Sequence, residues 1–413
     1  MKKTVWIINQ YASTPETGMG GRHFYLAKEL AKLGHNVYLI ASSSNHLLRE
    51  QQHFEGGTKV ANIAGFSFVW VKMPPYPEAH SKQRALNWFI FPWRLVRLSK
   101  IIPIKPDAIV CSSPSPLAFF GAHRLAKIHR AKLVFEVRDI WPLTLTEIGG
   151  YSVKHPFIKF MQRVEDWAYR SSDEVVSNLK NAVEHMVSRG MTPSKFSWIP
   201  NGFSLEEANA PARLEESIID QLPKGKFIIG YTGTMGIANA LFSLLEAAET
   251  LKNFEDIAFV LVGNGKEKSK LQCVVSEKGL KNVTFLDAVP KASIYPMLSY
   301  FDACFIGWLN DDLYRFGIGA NKIPEYLYSG KPILHAYSGM ADPVLEASAG
   351  LTVPAEDANG LAEAILSLYK MPAEARVAMG LNGRTAALAH YEYGLLAKRY
   401  ENILFGANHD RTA

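Results

Sequence analysis

A strand, a glycine turn, a helix and a second strand follow one another at the start of this chain, and the same order begins again near residue 227. No other feature narrows the fold as far. Val5 to Asn9 is an apolar run, Thr17-Gly-Met-Gly-Gly21 follows it, Phe24 to Leu33 has helical spacing, and Val37 to Ala41 is apolar again. That order is a parallel βαβ unit with its glycines at the carboxyl end of the first strand, where ligands approach open sheets. As a dinucleotide fingerprint it is incomplete: the full glycine spacing is missing, and no acid follows the second strand. The rhythm continues through strands at Asp107 to Cys111, Lys132 to Val137, Glu174 to Ser177 and Phe196 to Ile199, up to the Pro200-Asn201-Gly202 turn. It restarts at Phe227 to Tyr231 with Thr232-Gly-Thr-Met-Gly236, and again at Ala258 to Val262 with Gly263-Asn-Gly265. The pattern predicts an α/β protein of two Rossmann-like, doubly wound parallel-sheet domains facing a central cleft, covering 1–202 and 203–390. An amphipathic stretch from Tyr393 to Leu404 predicts a C-terminal helix, about residues 391–408, packing back on the first domain.

A chain of 413 residues is too long for one core and suits two. Three scattered cysteines, Cys111, Cys273 and Cys304, lack metal-ligand spacing and suit a reducing compartment. The N-terminal apolar run stops at Asn9, too early for a signal peptide, and no stretch reaches the roughly 18 apolar residues of a membrane span. Charge is uneven: the first 205 residues carry +12 and the rest −6. Such a basic half faces an anionic partner. Within it lies Ala85-Leu-Asn-Trp-Phe-Ile-Phe-Pro-Trp-Arg-Leu-Val-Arg-Leu-Ser-Lys100, where aromatics and cations interleave and Pro92 is expected to break or kink the run. Trp88, Trp93, Arg94 and Arg97 are candidates for contact with a bilayer surface; the bland alternative is a buried helix with a solvated edge. No nucleic-acid module is present.

Phe316 to Pro332 reads as a glycine-loosened loop running into a short helix that Gly330 and Pro332 end. The amides near Gly319, Ala320 and Asn321 would be free to donate to an anion, Lys322 adds a positive charge, and the helix dipole points the same way. Glu325, one turn further in, is a natural acceptor for ribose hydroxyls. Arg138-Asp139, just after a strand, occupies the usual position of site residues in a parallel sheet.

Together these segments resemble glycosyltransferase family 4, the retaining, nucleotide-sugar-dependent enzymes of the GT-B fold. The resemblance rests on Gly18-Met-Gly-Gly-Arg22, Ile199-Pro-Asn-Gly202, Gly230-Tyr-Thr-Gly-Thr234, Val262-Gly-Asn-Gly265 and Glu325-Tyr-Leu-Tyr-Ser-Gly-Lys-Pro332, in that order. Glu136-Val-Arg-Asp-Ile-Trp-Pro142, with Asn321-Lys322, looks most like the branch extending O-antigen or capsule units on a polyprenyl lipid, which includes N-acetylfucosaminyltransferases. The resemblance implies a UDP-sugar donor, a polyprenyl-diphosphate glycan acceptor, no metal or cofactor, and a peripheral place at the cytoplasmic face of the inner membrane. It implies donor contacts at Gly18, Gly20, Gly21, Gly233, Thr234, Gly263 and Gly265, and a ribose contact at Glu325.

Three departures stand out. The family's other glutamate, eight positions before Glu325, is matched by Gly317, leaving Asp311, Asp312 or a backbone amide as substitutes. The cations that commonly follow the Gly233 turn are absent from Met235-Gly-Ile-Ala-Asn239, which makes Lys322 and Arg315 the candidates for neutralising the diphosphate. The family's His at the end of the fourth-strand region is matched by Arg138, which leaves its contact with the sugar to the backbone, and Asp139 is the candidate for orienting the acceptor. Two alternatives stand beside the transferase: a sugar-nucleotide 2-epimerase of the same fold, and a non-catalytic partner subunit that binds a sugar nucleotide or lipid.

Overall fold

The computed structural model describes residues 1–18, 20–76, 81–147 and 149–406. Met19, inside the first glycine motif, and residues 407–408 of the expected C-terminal helix lie outside them. The chain forms two compact units, Met1–Pro200 with the segment from Tyr393 onward, and Asn201–Glu392.

The first unit is an eight-stranded sheet: β1 (Thr4–Ile8), β2 (Asn36–Ser42), β3 (Thr58–Ile63), β4 (Phe66–Val71), β5 (Ala108–Ser112), β6 (Lys132–Val137), β7 (Glu174–Ser177) and β8 (Phe196–Trp198). Their order is β3-β4-β2-β1-β5-β6-β7-β8, parallel except where β3 runs against β4. The β3–β4 hairpin turns at Ala64 and Gly65, both at positive φ, which matches the twist of the flanking strands. Helix Tyr393–Phe405 belongs to this unit: Tyr393 stacks on Tyr25 at 4.9 Å, and Leu396, Tyr400 and Leu404 join its core.

The second unit has six parallel strands: β9 (Phe227–Thr232), β10 (Ile257–Val262), β11 (Val283–Leu286), β12 (Ala303–Gly307), β13 (Ile333–Ala336) and β14 (Gly350–Val353), ordered β11-β10-β9-β12-β13-β14. β1, β9 and β10 are buried along their whole length, so they read as apolar runs and not as alternation.

Helix Lys82–Val96 runs through Pro92 without the expected break. Pro92 is buried there, and the Gly121 position explains why the crossing is close: a Cβ on Gly121 would lie 2.6 Å from the Pro92 carbonyl oxygen. Tertiary packing against helix Ala118–His129 thus overrides the local penalty of an interior proline.

Candidate functional site

In the second unit the ends of β9 and β10 and the start of helix Lys322–Ser329 converge on one cation. Lys322 Nζ donates to Tyr231 Oη at 2.9 Å and to Asn239 Oδ1 at 2.8 Å, and sits 4.5 Å from the Tyr231 ring centroid. Its stem packs against the turn after β9, so that a Cβ on Gly233 would meet Lys322 Cε at 2.4 Å. Gly263, at φ +147, lies beneath the same turn, where a Cβ would fall 1.9 Å from the Gly233 carbonyl oxygen. Only glycine permits that approach. Gly265 packs in the same way on Met235, and Thr234 offers its carbonyl oxygen to Tyr231 Oη and Asn239 Nδ2. The turn that lacks its own cations therefore receives one from Lys322, 89 positions further along the chain from Gly233. Burial pushes the Lys322 ammonium down to about 8.

The helix begins at Lys322 itself, with Asn321 as its N-cap and no side chain capping it. Among the described residues no hydrogen bond engages the amides of Gly319, Ala320, Asn321, Lys322 or Ile323, while the Gly319 carbonyl oxygen accepts from Asn201 Nδ2 at 2.5 Å. Pro324 has no amide to offer. These uncommitted donors, the positive end of the helix and Lys322 make an anion-binding corner.

Glu325 is buried to 9% exposure, and its Oε1 is engaged by the ammonium of Lys291, on the short turn Lys291–Ser293 after β11. Arg315 faces Asp312 at 3.6 Å and the Phe316 ring at 4.6 Å; no described contact joins it to Lys322. Asp311 spends Oδ1 capping the amide of Leu313, and Asp312 is solvent-exposed. Gly317 has φ 99 and ψ −179, a backbone conformation that L side chains rarely adopt, so a glutamate at that position would strain the loop. A polar set holds this loop's base: Trp308 Nε1 donates to His335 Nε2 at 3.0 Å, and His335 Nδ1 meets Asp342 Oδ1 at 2.9 Å. Burial opposes the Asp342 charge, but His335, Thr352 and the Leu345 amide outweigh it and hold the carboxyl at about 2.

In the first unit the glycine loop closes on itself. Gly18 N donates to Thr14 O and Gly20 N to Ser13 Oγ, and Gly21 caps helix Arg22–Lys32. Below that helix start lies a fully buried carboxylate, Glu136 at the end of β6. It accepts from Arg22 Nε at 2.9 Å and Tyr400 Oη at 3.2 Å, and His23 Nε2 lies 2.6 Å from it. Ser112 Oγ lies 2.9 Å from the same His23 Nε2, and Arg22 also donates to the carbonyl oxygen of Pro200. Burial opposes the Glu136 charge, yet Arg22 and His23 hold it well below the usual carboxylate range. Burial, partly offset by Glu136, lowers His23. Two residues on, Arg138 N and Asp139 N both donate to Ser113 Oγ, at 2.9 and 3.4 Å, and the Arg138 Nε is buried without a partner.

Trp88 corrects the reading of the aromatic stretch. It is 7% exposed, packs edge-on to Trp141 at 5.4 Å and donates to Tyr11 Oη at 2.7 Å, so it belongs to the core and cannot meet a bilayer. Arg94 gives its guanidinium to the Lys72 carbonyl oxygen. Trp93 is 80% exposed and shares a face with Leu86 and Phe89, flanked by exposed Arg97. No helix among the described residues is long and apolar enough to cross a membrane, and no group of three or more His, Cys, Asp or Glu there could hold a metal.

Residues 18–207 match the model described as Glycosyltransferase Family 4, and residues 213–386 match Glycosyl transferases group 1. The chain is a GT-B glycosyltransferase related to family 4. Among curated relatives, a putative colanic acid biosynthesis glycosyl transferase of Escherichia coli, WcaI, is 24% identical over 70% of this chain and 74% of its own. Among solved structures, sucrose-phosphate synthase from Thermosynechococcus elongatus superposes with TM-score 0.72 at 17% identity, over 97% of this chain and 98% of that one. HepE from Anabaena, solved with UDP and glucose, gives TM-score 0.67 at 15% identity, over 98% and 100%. These likenesses establish the two-domain Rossmann architecture of the GT-B glycosyltransferase.

Proposed function

We propose that this glycosyltransferase moves a sugar from a UDP-(N-acetyl)amino sugar to a saccharide carried on polyprenyl diphosphate, in the synthesis of a capsule-like or exopolysaccharide glycan. The observation that carries the reading is the Lys322 corner: a half-buried ammonium seated on the Gly233 turn beside a row of uncommitted amides. A diphosphate leaving group needs fixed donors that do not reorganise as charge develops. The WcaI relative and the HepE complex with UDP support the choice of glycan and base. In the transfer, the bond between the anomeric carbon and the β-phosphate oxygen breaks, the acceptor oxygen bonds to that carbon on the same face, and its proton passes to the departing phosphate. Lys322 and the amides of residues 319–323 take the diphosphate charge, and Tyr231 and Asn239 aim the ammonium. Glu325 receives the ribose diol on Oε2, with Oε1 committed to Lys291. Arg138 and Asp139 serve the acceptor side.

Calorimetric titration with UDP tests the donor half. Glu325→Ala is expected to weaken UDP binding by about 10-fold or more, and Lys291→Ala by less, because a charge-assisted hydrogen bond is worth roughly 1.5–3 kcal/mol. Undiminished affinity in Glu325→Ala removes the ribose assignment. The peripheral membrane contact is assigned to Leu86, Phe89, Trp93 and Arg97. Changing Leu86, Phe89 and Trp93 together to Ser should release the protein from vesicles containing anionic lipid, and continued co-sedimentation would place the contact elsewhere.

A further inference from the structure

Glu325 and Lys291 form an ion pair whose two ends are unequal. The Glu325 side chain is 12% exposed and the Lys291 side chain 43%, so water reaches the cation at the rim, while the carboxylate depends on what the chain or a ligand brings to it. Both ends are held in place without a ligand. Lys291 begins the turn Lys291–Ser293, which Ser293 N closes on Pro290 O at 2.9 Å and Ala212 N pins through Ala292 O at 3.0 Å. Helix Ile294–Ser299 continues from that turn and packs on helix Lys322–Ser329. There Tyr326, next to Glu325, is tied to β9 by Thr232 N, which donates to its Oη at 2.7 Å. Glu207, on the short helix Leu205–Asn209, adds a second negative charge that favours the Lys291 cation.

The ammonium engages Glu325 Oε1, which leaves Oε2 for a nucleotide. A carboxylate oxygen has two lone pairs, so Oε2 accepts both hydroxyls of a ribose or one alone, and in neither case is a buried oxygen left bare. A carboxylate with both oxygens open behaves differently. Each oxygen then takes one hydroxyl, and a sugar lacking the 2′ hydroxyl strands one of them where little water reaches. We propose that Lys291 is a positioning residue that sets donor specificity: by holding one oxygen of Glu325 it relaxes the demand for the 2′ hydroxyl, so the site takes 2′-deoxyribonucleoside diphosphate sugars as well as ribonucleoside ones. The proposal rests on the ribose assignment of Glu325 above and goes beyond it by widening the class of donor. Lys291 acts through Glu325 and takes no part in the bonds that form and break.

Calorimetric titration of the full chain with UDP and with 2′-deoxy-UDP tests this. Wild type should bind the two within about tenfold of each other, the worth of one ordinary hydrogen bond, and Lys291→Ala should widen that gap by about fivefold or more as the stranded oxygen loses its partner. Lys291→Arg keeps a cation at the rim and should hold the gap nearer the wild-type value. A residue that only braced the helix would weaken both nucleotides alike and leave their ratio unmoved. A wild-type gap above about tenfold, a smaller widening in Lys291→Ala, or an arginine variant with the alanine variant's gap overturns the proposal. Glu325→Ala separates the two levels. If it leaves UDP affinity undiminished, the ribose assignment fails and this proposal with it; if it weakens UDP while Lys291→Ala leaves the ratio unmoved, the role of Lys291 alone is removed.

Discussion

Lys322→Ala should lower kcat by about 10²–10³-fold, the usual loss when one preorganised donor to a developing anion is removed. Its thermal stability should barely change or rise, since burial already disfavours the Lys322 charge and the Gly233 turn keeps its bonds from Tyr231 and Asn239 to Thr234. Lys322→Arg should rescue poorly, because the stem runs 2.4 Å from where a Gly233 Cβ would be and a planar guanidinium does not fit that passage. The pH dependence has a definite sign. With its ammonium lowered to about 8, Lys322 in the free enzyme is charged below that pH and neutral above it. UDP affinity should be level below pH 8 and fall as pH rises through it, while a bound diphosphate holds the proton to higher pH. Lys322→Ala should show weaker affinity and a shallower alkaline limb, the remainder belonging to Lys291 beside Glu325, which burial also lowers to about 8. Unchanged turnover together with an unchanged pH profile would move the diphosphate role to the amides alone.

Glu136→Ala is expected to be the most destabilising single change in the first unit. It leaves Arg22, whose side chain is wholly buried, without its carboxylate, and one Arg22 nitrogen, Nη2, already lacks a partner. Breaking a buried pair from one side costs roughly 3–5 kcal/mol. At about 2–4 °C per kcal/mol for a unit of this size, the melting transition should fall by roughly 6–20 °C. Glu136→Gln should lose less, since its amide oxygen still accepts from Arg22. Because Glu136 also receives Tyr400 of the C-terminal helix and Arg22 holds the Pro200 carbonyl, proteolysis should reach the segment near residue 393 sooner in the alanine variant. A melting point equal to wild type would show that the cluster is not a support of the fold.

The βα order was legible because the central strands of both sheets are buried on both faces and end in glycine turns that permit close backbone approach. The β3–β4 hairpin was less so, since the strand burial of β3 is only partial and its turn, Ala64-Gly65, is not one of the strong dipeptide signals. Trp88 and Trp93 show what sequence alone loses. Five residues at about 100° each set them some 140° apart around a helix, so one enters the core and the other meets solvent. An expected break at Pro92 hid that phase, whereas the helix runs on from Lys82 to Val96 through the proline. Leu86, Phe89 and Trp93, by contrast, follow the three-and-four spacing of one face. In the candidate site, Lys322 and Glu325 were visible as residues of a loop running into a helix. Lys291 was not, because its pairing with Glu325 spans 34 positions and arises only when helix Ile294–Ser299, just after Lys291, packs against helix Lys322–Ser329. Glu136 stands inside the Glu136–Pro142 motif, yet its partners Arg22 and Tyr400 are 114 and 264 positions away. Gly317 was visible as a departure, and its positive φ supplies the physical reason.

The central claim is that the start of helix Lys322–Ser329 binds the donor diphosphate. Backbone hydrogen exchange with and without UDP addresses it at the atoms concerned. The account predicts that the amides of Gly319 to Ile323 exchange more slowly once UDP is bound, because among the described residues no hydrogen bond engages them. Protection appearing elsewhere while these five amides exchange at their free rate would contradict it.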